Sequence, residues 1–359
     1  MNFSCNNKIS NNQLLAVIVA AFLGCTAVSA PLGIIETAGG GAYISVFLGG
    51  FAASIFFYIL VRLTGKRITD SYQNVVYNSL GKFLGFLVLA AIFVYTSVYG
   101  GFQLSTTARM VHFTMEKSVS SLFAAILIVF VAFYTALRGR ECVGRISEIA
   151  AVLMLAFIVF IFVISAPPMD LITLRPTPDE WRGILKGAFM SFSALSVAGY
   201  VFVMLPNGGN TEKTAFSVFL AFLIITVVLS FGTALAVSCF GVEESKRKLW
   251  PVIQMMNYTE FPGSLVERQE VLMSGFYVFS SFILTSLSVH ISSVVLESIF
   301  KSINRVFSVL AACAVVLFFC LCALRKGGFE AVYSIYGFNL AMYGVMLLAP
   351  IASLLRRKK

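Results

Sequence analysis

Charge is scarce in this chain. Of 359 residues only 12% are Asp, Glu, Lys or Arg, while 59% are hydrophobic; a soluble globular protein carries about 25% charged residues. The shortage excludes an ordinary soluble enzyme, which would lack the polar surface to cover itself. The excess of apolar residues equally excludes intrinsic disorder. Histidine and tryptophan are rare, with two of each. No Ser/His/Asp set, paired carboxylates or glycine-rich phosphate loop stands in a context that catalysis would need. The expectation is therefore a protein that is not an enzyme and uses no cofactor. The seven cysteines fall mostly inside apolar runs, where cysteine acts as a small hydrophobe. Cys320 and Cys322 have no second pair at metal spacing, so no metal site is expected. The formal net charge of +10 comes without a basic patch interleaved with aromatics. It points to anionic lipid around basic loops rather than to nucleic acid.

What the chain has in abundance is long apolar runs. A run of about 20 apolar residues spans a bilayer as a helix, and each run here is too long and continuous for a barrel strand. Ten spans are expected, at about 13–37, 43–63, 82–110, 119–137, 142–166, 183–205, 214–241, 270–299, 304–324 and 331–354. The fold class is thus an all-α polytopic membrane protein, with residues 1–359 forming one transmembrane domain. The first span follows a short polar tail and reads as retained rather than as a cleaved leader. With the N-terminus in the cytoplasm, more than half of the 26 Lys and Arg but under a third of the 16 Asp and Glu lie on the cytoplasmic side. That orientation satisfies the positive-inside rule, and an even number of spans places both termini in the cytoplasm.

Two spans are expected to be broken helices. The first contains Leu23-Gly24-Cys25-Thr26-Ala27-Val28-Ser29-Ala30-Pro31, and the sixth contains Ser191-Phe192-Ser193-Ala194-Leu195-Ser196-Val197-Ala198-Gly199-Tyr200 before Pro206. Each combines small, polar and helix-breaking residues at membrane depth, where freed carbonyls must face protein, water or ligand. Either stretch alone is also compatible with close helix packing. Their corresponding places, first in each group of five spans (about 13–166 and 183–354), are what points to a binding site between inverted repeats.

At this point the chain resembles the B subunits of endospore germinant receptors. The resemblance is carried by Ile9-Ser10-Asn11-Asn12-Gln13, the Leu23-Gly24 to Pro31 stretch, Ala42-Tyr43-Ile44-Ser45, and Leu137-Arg138-Gly139-Arg140-Glu141-Cys142-Val143-Gly144-Arg145-Ile146-Ser147-Glu148-Ile149. Val266-Glu267-Arg268-Gln269-Glu270 is similar to the family's E-R-x-D, with Glu270 in place of the aspartate. Tyr277 stands where a tryptophan is frequent, and Tyr200 where many members have an acid. The resemblance implies the amino acid–polyamine–organocation superfamily and its leucine-transporter-type 5+5 inverted repeat with helices 1 and 6 broken. It also implies the spore inner membrane, partner A and lipoprotein C subunits, and a small-molecule germinant, of the amino acid class. With no acid after Gly199, it lends no support to a proton- or cation-coupled step at that position. The alternative is an ion-coupled amino acid secondary transporter, since a shared fold does not separate the two.

The candidate ligand-binding residues are Gly24, Cys25, Thr26, Ala27 and Val28 of span one, whose amides are expected to face a carboxylate. Opposite them stand Ser193, Ala194, Leu195, Ser196 and Tyr200 of span six. Tyr95 and Tyr99, four apart on span three, share a face and either close the pocket or pack as ordinary aromatics. Ser281 and Thr285 begin a stripe with Ser288 and Ser292 on span eight, which either lines the cavity or bonds a neighbouring helix. Glu141, Arg145 and Glu148 recur at helical spacing and read first as a salt-bridged helix end. With Glu267, Arg268 and Glu270 they are assigned structural or coupling roles. His290 is the one histidine deep in a span.

Overall fold

The computed structural model describes residues 9–29, 31–64, 72–114, 119–165, 172–176, 181–196, 200–205, 210–248, 250–255, 269–300, 302–325 and 336–355. The first helix, α1 (Asn11–Ser29), starts at a capping box. The Gln13 amide donates to Ser10 Oγ at 3.1 Å and the Ser10 amide to Gln13 Oε1 at 3.1 Å, so two orphan donors are satisfied reciprocally. A short helix α2 (Pro31–Ala38) follows, with proline in its first turn, where no amide donor is needed. A 3-10 turn (Gly39–Gly41) leads into α3 (Ala42–Thr64).

The helix α4 (Tyr72–Thr114) is bent at Gly81, whose φ of 83° is open to glycine and costly for other residues. The span expected from residue 82 is its longer segment. After it come α5 (Ser121–Arg138) and α6 (Arg140–Ser165), joined through Gly139 at a φ of 87°. The second half begins with α7 (Trp181–Ser196) and α8 (Val201–Met204). Then come α9 (Thr211–Phe240), capped where Asn210 Oδ1 accepts from the Glu212 amide, α10 (Val242–Arg247) and α11 (Pro251–Gln254). The chain finishes with α12 (Gln269–Ile299), α13 (Arg305–Arg325) and α14 (Tyr336–Leu355).

Among the described residues seven helical segments are long and apolar enough to cross a membrane: Pro31–Thr64, α4, α5, Arg140–Val163, α9, Ser274–Ile299 and α13. The shorter apolar helices include Asn11–Ala27 and Asn339–Leu348. Burial separates centre from rim. In α12 78% of the most apolar stretch is buried, against 39% in α5, α6 and α13. The outer faces of those three helices carry Phe130, Val152 and Phe307 in the open, as a lipid-facing surface requires. The helix α12 packs against α1, α4, α5 and α13, and α1 against α6 and α9. The central helices meet through small residues. A Cβ on Gly24 of α1 would stand 2.4 Å from Ser280 Cβ of α12, so only glycine lets these backbones approach.

The helix ends in spans one and six fall inside the expected stretches, at Ser29 and Ser196. Gly24–Val28 lies wholly inside α1, which ends at Ser29, and the next helix begins at Pro31. The physical reason is local. Thr26 returns its hydroxyl to the Phe22 carbonyl at 2.6 Å, and Gly24 serves packing rather than breaking. The amides of Gly24–Val28 therefore belong to a continuous helix and are not bare ends. In span six Ser193–Ser196 closes α7, and the chain resumes helical structure at Tyr200, which caps α8.

Candidate functional site

Where α1, α4 and α8 converge, four aromatic rings form one cluster. Tyr200 stands edge-on to Tyr99 (centroids 5.9 Å, 90°) and to Tyr95 (6.2 Å, 74°), while Tyr95 and Tyr99 lie 6.2 Å apart. Phe22 of α1 completes it, 6.2 Å from Tyr200. All four are buried. Such pairs contribute about 0.5–1.5 kcal/mol each beyond their buried area. The helical spacing of Tyr95 and Tyr99 brings both rings to this point, where they pack as buried aromatics against Tyr200.

A buried polar column continues from the cluster along the seam of α4 and α12. The Tyr95 hydroxyl donates to Asn339 Oδ1 of α14 at 3.4 Å, and the Tyr200 hydroxyl donates to the Thr96 carbonyl at 3.5 Å. Gln103 donates to the Tyr99 hydroxyl at 3.2 Å and accepts from Tyr277 at 3.4 Å. Thr107 donates to Ser281 at 2.5 Å, and at the other end Ser292 bonds Thr96 at 2.8 Å and Ser97 at 3.2 Å. Cys25 lies 3.9 Å from Ser280 Oγ, whose hydroxyl donates to the Ala21 carbonyl. Two hydroxyls of the α12 stripe differ. Those of Thr285 and Ser288 are fully buried and have no hydrogen-bond partner among the described residues. Burying such a group without a partner costs about 1–3 kcal/mol, and Thr285 sits midway along the Ser281–Ser292 stripe.

Other expected ligand residues gather nearby. Thr26, Ala194 and Leu195 line one small cavity of about 10 Å3, together with Ser191 and Thr233. Ala27 and Gly24 line a second cavity of about 40 Å3 beneath α11, whose other walls are apolar apart from Tyr277. Ser193 is buried on α7. The side chains of Val28 and Ser196 lie outside the described residues, as do Glu267 and Arg268 and the side chain of Glu270. Glu141 and Arg145 form an ion pair at 2.6 Å, as the spacing required, and Glu148 sits half-buried on the same helix. His290 is buried on α12, with no partner for Nδ1 among the described residues.

Thr96, Gln103, Thr107 and Asn339 belong to the column without being among the residues expected from the sequence. The signal for the first three was present. Thr96, Tyr99, Gln103 and Thr107 recur every three or four residues, the same rule that exposed the α12 stripe. Asn339 stands alone in an apolar run and had no such pattern.

An all-α bundle of apolar spans packed around a buried polar seam defines a transporter-fold membrane protein. Solved structures agree. A nucleobase-cation-symport-1 family transporter, Mhp1, in a closed conformation with bromovinylhydantoin bound, superposes with a TM-score of 0.68 at 13% identity, covering 95% of this chain and 78% of that one. A Na+-coupled sialic acid symporter in a substrate-bound outward-open state gives 0.67 at 13% identity, covering 95% and 79%. The family described as "Spore germination protein" matches residues 8–326, and the chain belongs to it. Among its relatives, spore germination protein YndE of Bacillus subtilis (strain 168) is 20% identical over 301 residues, 83% of each chain. Spore germination protein A2 of the same organism is 22% identical over 277 residues, covering 77% of this chain and 76% of the relative. Spore germination protein GerQB of Bacillus cereus is 24% identical over 254 residues, covering 70% and 68%. The protein is therefore an integral membrane member of the spore germination family with the leucine-transporter-type fold.

Proposed function

We propose that this chain is the ligand-sensing membrane subunit of a spore germinant receptor. Its role is to bind a small germinant of the amino acid class without catalysing a reaction, and to signal to receptor A and C subunits. The observation that carries the reading is the unpartnered, fully buried Thr285 hydroxyl in a polar column beside the Phe22–Tyr95–Tyr99–Tyr200 cluster. A polar ligand that hydrogen-bonds there recovers a cost the unliganded fold leaves standing. Family membership supports the germination role.

Signalling follows from linkage. The germinant binds one arrangement of α1, α8 and α12 better than another and shifts the population toward it. The tyrosine cluster ties α1, α4 and α8 together and Tyr95 reaches α14, so a small movement at the centre is felt by four helices. The protein sits in the spore inner membrane with both termini in the cytoplasm, as the distribution of Lys and Arg favours. A second reading, an ion-coupled amino acid transporter, draws on the likeness in fold to two solute symporters.

The experiment is germination of spores lacking the gene, complemented with wild type, Thr26→Leu or Ser193→Leu, across amino acids and nucleosides at matched protein abundance. One germinant response should vanish in the null and shift in dose dependence in the variants. Unchanged germination with reduced uptake of a labelled amino acid would instead establish the transporter.

A further inference from the structure

At one end of the bundle α1 and α9 begin and α3 finishes. Between these helix ends lies an open groove of about 500 Å3, within the roughly 300–1,000 Å3 of small-ligand sites. The cavities lined by Thr26 and by Ala27 hold only about 10 and 40 Å3. Thr214 ties two walls of the groove together by donating to Asn11 Oδ1 at 2.9 Å.

One part of the groove is polar and carries a surplus positive charge. Glu212 accepts from Arg62 at 3.4 Å, and Arg62 donates to the Tyr58 hydroxyl at 3.5 Å. The carboxylate in the wall is therefore already balanced. Lys213 has no partner among the described residues, nor has the Ser217 hydroxyl one turn further on. Because the Asn11 oxygen is taken by Thr214, its amide nitrogen is left as a donor, and Asn12 stands exposed beside it. Donors gathered around one unbalanced cation complement a group with a single negative charge and only acceptor oxygens. A phosphodiester is such a group, and a bilayer presents it at the depth where apolar spans end.

The rest of the groove is apolar. Phe219 meets Tyr58 edge-on at 6.1 Å and Phe216 at 6.5 Å. Phe216 is 59% exposed, and Val227 and Phe231 further along α9 are also open. At 3.6 residues per turn these three fall on one face of the helix. An apolar stripe thus leads from the groove into the span. A water-soluble anion would use Lys213 but not this stripe.

We propose that the groove binds one anionic phospholipid. Its phosphodiester sits on Lys213, Ser217 and the two asparagines, and an acyl chain lies along Phe216, Val227 and Phe231. The site requires a membrane and no germinant, so it stands or falls separately from the sensing role.

The test uses the full chain purified in detergent, with bound lipid counted by native mass spectrometry. Phosphatidylglycerol, phosphatidylcholine and the chain-free headgroup glycerophosphoglycerol are titrated in turn. One phosphatidylglycerol should bind the wild type at least about fivefold more tightly than phosphatidylcholine. Lys213→Gln should weaken it at least about fivefold, the worth of one cation beside an anionic lipid. Arg138→Gln removes an exposed charge from α5, which packs on α4, α6, α12 and α13, and should change binding by less than about twofold. Ser217→Phe fills the groove and should abolish the tight site while leaving the charge unchanged. Equal losses in Lys213→Gln and Arg138→Gln overturn the proposal, because the lipid then answers to overall charge. Tight binding that survives Ser217→Phe places the lipid elsewhere and overturns it too. Glycerophosphoglycerol binding as tightly as the lipid would make the occupant a soluble phosphate ester. Phosphatidylcholine binding equally well, or no saturable lipid binding at all, likewise contradicts the proposal.

Discussion

The seam between α4 and α12 and the chamber between α1, α6, α9 and α11 lie side by side and are built on opposite principles. The seam spends serine, threonine, glutamine and tyrosine side chains on one another, bond by bond, from Thr107–Ser281 to Thr96–Ser292. The chamber is walled by alkyl and aromatic groups that leave space unfilled. Buried hydroxyls in a low dielectric fix helix positions because each lost partner is costly. Alkyl walls fix nothing so specific and tolerate a change of contents. The difference teaches that rigidity and adaptability have been assigned to neighbouring regions, and Tyr277 belongs to both.

The comparison breaks most completely at the cluster that anchors the seam. Tyr200→Ala removes the ring shared by Phe22, Tyr95 and Tyr99 and should cost about 3–5 kcal/mol, read as a large drop in thermal stability in nanodiscs. Gly24→Leu attacks the contact between the two regions. Its side chain would collide with Ser280, and a loss of about 1–3 kcal/mol or failure to accumulate is expected. A normal Tm in this variant would mean that α1 and α12 are not packed as described. Tyr200→Phe keeps the ring and removes one hydroxyl, which should cost about 0.5–1.5 kcal/mol and leave the fold intact.

Smaller still is Thr285→Val. Because the hydroxyl has no partner among the described residues, its removal should leave stability unchanged or raise it by up to about 1 kcal/mol. The germinant response should nonetheless weaken. A destabilised Thr285→Val with an unaltered response would show that this hydroxyl serves the fold. The smallest effect belongs to the exposed α10. There the Lys246 ammonium, 2.7 Å away, holds the Glu243 carboxyl below the usual carboxylate range. The sign follows from linkage. The pair contributes at neutral pH, and its contribution fades as pH falls through that lowered value. Exposed pairs contribute little, so Glu243→Gln should leave the pH dependence of Tm almost unchanged.

Much of the fold was legible in the sequence because membrane helices announce themselves through length and apolarity. The all-α class and the family are readable in the sequence. Which residues of spans one and six stay helical is less so. Glycine and threonine in Gly24–Val28 look like breakers, yet glycine there meets Ser280 and threonine folds back onto its own helix, uses that depend on a partner the sequence does not name. At the candidate site the periodic residues were readable: Tyr95, Tyr99, Ser281 and Thr285 reach the seam because helix spacing puts them there. Asn339 and the chamber under α11 were not, since a lone asparagine and a void are products of tertiary packing.

The proposed germinant site lies where α1, α4, α8 and α12 meet. The most direct measurement is a structure of the full chain in nanodiscs with the germinant that the null spores fail to answer. Ligand density is expected in contact with Tyr200 and within hydrogen-bonding distance of Thr285 Oγ1. Density at another face of the bundle, with the Thr285 hydroxyl still unpartnered, would contradict it.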